Sequence, residues 1–182
     1  MPDTLRLNRK KSAVVIMDFQ NDILAHVIKP KGVVAKAASV LRAARKAGIP
    51  VMHVQHRGGK FAEMRPGTDT HHGVAPLPGE TVITKIRNGA YSTTGLDVML
   101  RGKGVDTLVL MGCSTRGCVL NTLSWANDIG YKVVVVKDGC ADHDAEIHRV
   151  LVEELFPRAG KHHGADQLVA TAAEFARAVS RP

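Results

Sequence analysis

The sequence predicts an α/β domain whose mostly parallel sheet is covered by helices on both faces. Two patterns carry that prediction. Short apolar runs of strand type alternate with segments whose apolar residues recur at helical spacing, from residue 12 to near the C-terminus. Three of the strand-type runs also lead into a residue with reactive chemistry: Asp18, Lys85 or Cys118. A chain of 182 residues without an internal repeat, low-complexity tract or linker is read as a single domain over 1–182, with a basic N-terminal arm over 1–11.

Residues 12–18 (SAVVIMD) form a short apolar run ending in an acid, as a buried first strand does. Over 33–47 the apolar positions Val33, Val34, Ala37, Val40, Leu41 and Ala44 keep helical spacing, and Gly48 stops the helix. Residues 50–55 give the second strand. The stretch 56–80 holds five glycines and three prolines and has no periodicity, so it is a long loop, and long loops inside compact domains are usually functional. Residues 81–85 form the third strand, 96–103 a short helix, 107–111 the fourth strand and 118–129 the helix after it. A fifth strand is expected at 132–137 (KVVVVK), a helix at 145–156, a sixth edge strand around 160–163 and a closing helix at 165–179.

Hydrophobic residues at 45% and charged residues at 23% are ordinary for a globular protein in water. The apolar runs are too short to cross a bilayer and no charged-then-apolar leader opens the chain, so a cytoplasmic protein without membrane contact is expected. Three cysteines without CxxC spacing argue against a disulfide framework. The net charge of +8 raises the question of nucleic acid, but the basic residues are scattered apart from Arg6, Arg9, Lys10 and Lys11. Aromatics at 4% leave little for base stacking, so no nucleic-acid partner is expected.

In a parallel sheet the C-terminal strand ends share one edge, so Asp18, Lys85 and Cys118 can converge there. Each has an ordinary reading alone: a cap, a solvated strand end, a small buried hydrophobe. Together, a carboxylate, an ammonium and a thiol supply a base, an electrostatic stabiliser and a nucleophile. Cys118 is placed at the opening of a helix, where unpaired N–H groups and the dipole favour thiolate. Other uses of these cysteines fail on spacing. A phosphatase loop needs an arginine six positions after its cysteine, and positions 119 and 124 are Val119 and Ser124. No P-loop, HExxH, GxGxxG or complete GxSxG pattern is present.

The segments VVIMDFQNDI (14–23), PGETVITKIRNGAYSTTGLDVMLRGKGVDTLVLMGCSTRGCVLNT (78–122) and ANDIGYKVVVVKDGCAD (126–142) resemble the isochorismatase-like cysteine hydrolases, which include nicotinamidase and N-carbamoylsarcosine amidohydrolase. With the helix carrying Glu146 and His148, the similarity spans nearly the whole chain. The resemblance implies a three-layer α/β/α fold with a six-stranded sheet and a catalytic triad of Asp18, Lys85 and Cys118. It also implies a cis peptide between Cys113 and Ser114, with the N–H groups of Ser114 and Cys118 forming an oxyanion hole. The STRGC turn looks closest to the carbamoylsarcosine branch, and members acting on isochorismate lack the nucleophilic cysteine. The activity so implied is cysteine-dependent hydrolysis of a C–N bond in a small amide, ureido or carbamoyl substrate through a thioester. The alternative is a catalytically silent relative that binds a metabolite or a protein.

Substrate contacts are expected from Arg116, from Gln20 in the DFQND segment, from Tyr91 in the 88–94 stretch, and from His56 at the start of the long loop. Arg116 has two readings, a clamp on a substrate carboxylate or a salt bridge to a neighbouring helix or subunit. Nicotinamidases bind a divalent metal through an aspartate and histidines after the second strand. Here His53, Gln55 and His56 stand in that region, His56 where the aspartate belongs, with His71 and His72 in the loop. The pattern is broken, so neither metal nor other cofactor is expected. His148 is read as structural. The resemblance further implies a homodimer or homotetramer whose neighbouring subunits complete the pockets.

Overall fold

The strands are β1 (Ser12–Met17), β2 (Val51–His56), β3 (Thr81–Lys85), β4 (Thr107–Cys113), β5 (Lys132–Ala141) and β6 (Gln167–Ala170). All pair in parallel within one six-stranded sheet, in the order β3-β2-β1-β4-β5-β6. The computed structural model describes residues 5–63, 66–159 and 167–180. Helices α1 (Asn21–Leu24), α2 (Pro30–Lys46), α3 (Leu96–Gly102), α4 (Leu120–Asp128), α5 (Ala145–Val150) and α6 (Ala172–Ser180) complete the layers. Among the described residues no helix is long and apolar enough to cross a membrane.

The central strands explain themselves. Every residue of β1 and of β4 is buried, because strands with helices on both faces have no wet side. The apolar stripe of α2 (Val33, Val34, Ala37, Val40, Leu41 and Ala44) is buried, and Gly48 ends the turn at φ 70°, a conformation that favours glycine. Strand order reverses between β1 and β4, the crevice where open α/β sheets take their ligands.

Several expectations need correcting. The strand over 160–163 falls on residues outside the described ones, and the edge strand seen is β6, whose residues pair with Val133–Val136 of β5. The last helix begins at Ala172, not at 165, since part of that stretch is β6. Strand β5 continues past the expected end at Lys137, through Asp138 and Gly139 to Ala141. Gly139 permits it: a side chain there would stand 3.2 Å from Met111 Cβ of β4. The loop over 56–80 contains two 3-10 turns and pairs Thr70 with Gln20. Within the arm, Leu5 is buried, Arg9 Nη1 donates to the Val179 carbonyl at 3.4 Å, and Lys11 lies 3.7 Å from Asp106.

Candidate active site

Asp18 and the turn carrying Cys118 lie at the reversal point between β1 and β4, and Lys85 comes from the end of β3, two strands from β1. Asp18 follows β1 directly and turns the chain with φ 61°, left-handed backbone that a non-glycine residue rarely adopts. Its N–H bonds the Val54 carbonyl at 2.9 Å, which keeps it on the edge of β2. Lys85 is the last residue of β3. Cys118 lies within a π-helical turn, Thr115–Val119, that joins β4 to α4. The helix thus opens before Cys118 instead of at it, and the peptide bond between Cys113 and Ser114 is cis.

The structure brings all three side chains together. Lys85 Nζ donates to Asp18 Oδ2 at 2.7 Å, with both side chains buried. The same ammonium donates to the Arg87 carbonyl at 3.1 Å and faces His56 Nδ1 at 3.4 Å. The Cys118 thiol donates to the Ser114 carbonyl at 3.4 Å and lies within reach of the Asp18 carboxyl. Asp18 Oδ1 is buried with no hydrogen-bond donor on it. Gly112 makes room for the sulfur, because a methyl group there would sit 2.9 Å from Cys118 Sγ and 3.0 Å from the Met17 carbonyl.

Burial dominates the electrostatics. It raises the Asp18 carboxyl to about 6, even though Lys85 and, more weakly, Cys118 pull it down. Burial also pushes the Cys118 thiol well above its ordinary range, the Asp18 charge adds to that, and Lys85 only partly opposes it. Burial thus favours the thiol form of the sulfur, against the pull toward thiolate expected from its helix position. Desolvation outweighs any help from the helix terminus.

The triad forms the floor of a cavity of about 540 Å³. Ser114, Gly117, Cys113, His56 and Asn88 line it with the triad, and Ile23, Val27 and Phe61 give it an apolar wall. His26 and His143 stand at its edge, both exposed. Of the expected substrate contacts, only His56 lines this cavity. Gln20 is wholly buried: Oε1 accepts the His56 N–H at 2.7 Å, while Nε2 donates to the carbonyls of His56 (3.1 Å) and Thr68 (3.0 Å). Its polar atoms are occupied by backbone, so it shapes the site without facing it. Tyr91 is buried against Tyr131, ring centroids 6.2 Å apart, away from the cavity. Arg116 turns to Asp142, just after β5, its Nε 3.4 Å from Oδ1 and its backbone N–H donating to Oδ2 at 2.9 Å, an ion pair with neither a helix nor a subunit. His148 Nδ1 meets Thr115 Oγ1 at 2.8 Å and ties α5 to the cysteine turn, a structural role.

The histidines of the region where a metal site would be expected have other partners. His53 Nε2 pairs with Glu80 at 3.0 Å, His71 Nδ1 accepts the Gly73 N–H, and His56 Nδ1 faces an ammonium that repels cations. Among the described residues no group of three or more metal-ligating side chains converges. Phe61 and Asn88 come from the 56–80 and 88–94 stretches, which are expected to shape the pocket; Ile23, His26, Val27 and His143, from the segments after β1 and β5, are not singled out by the sequence. Their only sequence signal is nearness to a strand end.

An isochorismatase domain model matches residues 12–178. The chain belongs to the isochorismatase family. An isochorismatase family protein of Bacillus subtilis is 33% identical over 150 residues, covering 78% of this chain and 83% of that one. Maleamate amidohydrolase of Pseudomonas putida is 31% identical over 175 residues, covering 83% and 82%. The solved structure of an isochorismatase family protein from Burkholderia thailandensis superposes with a TM-score of 0.84 at 28% identity, covering 97% of this chain and 98% of that one.

Proposed function

We propose that the protein is a cysteine-dependent amidohydrolase that cleaves the C–N bond of a small amide, ureido or carbamoyl substrate through a thioester. The observation that carries this reading is the buried Asp18 carboxylate, bonded to Lys85 through one oxygen while the other has no donor, within reach of the Cys118 thiol. Likeness to maleamate amidohydrolase supports the choice of an amide bond.

Asp18 takes the proton of Cys118 as the sulfur attacks the carbonyl carbon, and Lys85 balances the negative charge that this creates. The N–H groups of Ser114 and Cys118, which the family resemblance assigns to the oxyanion hole, receive the tetrahedral oxyanion. Collapse breaks the C–N bond. The proton held on Asp18 goes to the departing nitrogen, and ammonia or an amine leaves. Water then attacks the thioester while Asp18 accepts one of its protons. The acid departs, and the proton on Asp18 returns to the sulfur. The cavity of about 540 Å³ suits a small molecule.

Cys118→Ala should reduce ammonia release from maleamate and related amides to background while circular dichroism and the melting temperature stay near those of the parent. Undiminished hydrolysis by that variant would end the proposal. Alkylation by iodoacetamide, with the modified cysteine mapped by mass spectrometry, separates a working thiol from that of a silent binding module. A catalytic Cys118 reacts in step with ionisation of Asp18, and an inert buried thiol does not react.

A further inference from the structure

An unusual share of the local structure fixes one imidazole. His56 and Lys85 are Cα partners in the β2–β3 register, and the Arg57 N–H bonds the Lys85 carbonyl at 2.8 Å. Gln20 brackets the His56 backbone, accepting its N–H and donating to its carbonyl. The ring of Phe61 meets the imidazole edge-on, with centroids 5.4 Å apart and planes at 77°. Gly58 leaves no slack, since a side chain there would stand 3.1 Å from His56 Cε1 and 2.4 Å from the Ile86 carbonyl oxygen.

The result of this confinement is the contact between His56 Nδ1 and Lys85 Nζ. An ammonium has three N–H donors. In Lys85 one goes to Asp18 Oδ2, one to the Arg87 carbonyl, and the third meets His56 Nδ1. To accept that bond, Nδ1 must carry no proton. Burial, then the Lys85 and Arg57 cations, hold the imidazole below its usual range and so toward the neutral form, against hydrogen bonds to the backbone at Arg87 and Gly58 that pull the other way.

The geometry points to His56 as a positioning residue that completes the shell of the Lys85 ammonium through Nδ1 and so holds Lys85 on Asp18. The role rests on Asp18, Lys85 and Cys118 being the reacting groups. Without the third acceptor, the ammonium is free to turn toward the cavity, and Asp18 loses its fixed orientation toward the thiol. A misplacement of about 1 Å at a reacting group can cost on the order of a hundredfold in rate.

Asparagine and glutamine test this, because Asn Oδ1 lies close to the place of His Nδ1 whereas Gln carries the same amide one methylene further out. Three variants, His56→Ala, His56→Asn and His56→Gln, are compared in ammonia release from maleamate and in the rate of Cys118 alkylation by iodoacetamide. His56→Ala and His56→Gln should lose about tenfold to a hundredfold in kcat and in alkylation rate, with KM little changed, and His56→Asn should recover most of both. Equal behaviour of the Asn and Gln variants, or full activity in His56→Ala, overturns the assignment. If the parent protein releases no ammonia but its alkylation rate still follows the Asn-over-Gln order, the amide reaction fails and the role of His56 stands.

Discussion

The pH dependence of turnover offers a quantitative test of the proposed base. With its carboxyl raised to about 6, Asp18 gains a proton far earlier on acidification than an ordinary aspartate. The ionised form accepts the thiol proton, so activity rises with pH through about 6 and falls below it. At pH 7 the carboxyl is about 90% ionised and at pH 5 about 10%, so kcat/KM for ammonia release should drop about tenfold between them. An aspartate near its usual 3.8 would change the rate by less than about 10% over that interval. The assay is kcat/KM across pH 4.5–8, accompanied by an infrared difference titration of the parent against Asp18→Asn to locate the carboxyl itself. A rate that is flat between pH 5 and 7, or a carboxyl band that titrates near 4, refutes the assignment of Asp18 as the base.

Gly112→Ala should cost about 1–3 kcal/mol of stability and most of the Cys118 reactivity, because the new methyl group would meet Cys118 Sγ at 2.9 Å and the Met17 carbonyl at 3.0 Å. Thermal melts and alkylation rates measure the two effects separately. Glu80 concerns stability alone: burial raises its carboxyl, but hydrogen bonds from Arg45, the Leu77 N–H and His53 prevail and hold it at about 2. Its contribution is present above pH 4.5 and is lost as pH falls toward 2. Glu80→Gln should therefore destabilise by about 2 kcal/mol in urea melts at pH 7, and the difference should shrink in melts taken at pH 3.

What the sequence disclosed followed the strength of each local signal. Strands β1, β3 and β4 are unbroken or clearly bounded runs, and the chemistry at their ends could be placed on one edge before any coordinates. Strand β6 was misplaced because Gln167–Ala170 is only four residues long and its apolar residues merge with the amphipathic pattern of α6. The extension of β5 was hidden because Asp138 looks like a turn residue. In the structure it pairs with Lys36 at 3.5 Å and accepts the Ala172 N–H at the start of α6. The expected substrate contacts erred for a shared reason. Neighbourhood in sequence says which loop a residue occupies but not which way it faces, so Gln20, Tyr91 and Arg116 were assigned outward when packing and an internal carboxylate turn them elsewhere.

Strand order also dictates why the cation of this site is a lysine. Asp18 leaves the end of β1 and Lys85 the end of β3, and β2 runs between them, so the two backbones stand about 10 Å apart at the usual strand spacing. A flexible four-carbon stem spans that gap and sets its nitrogen 2.7 Å from the carboxylate. No shorter amine would arrive, which makes the length of one side chain a direct reading of how the sheet is wound.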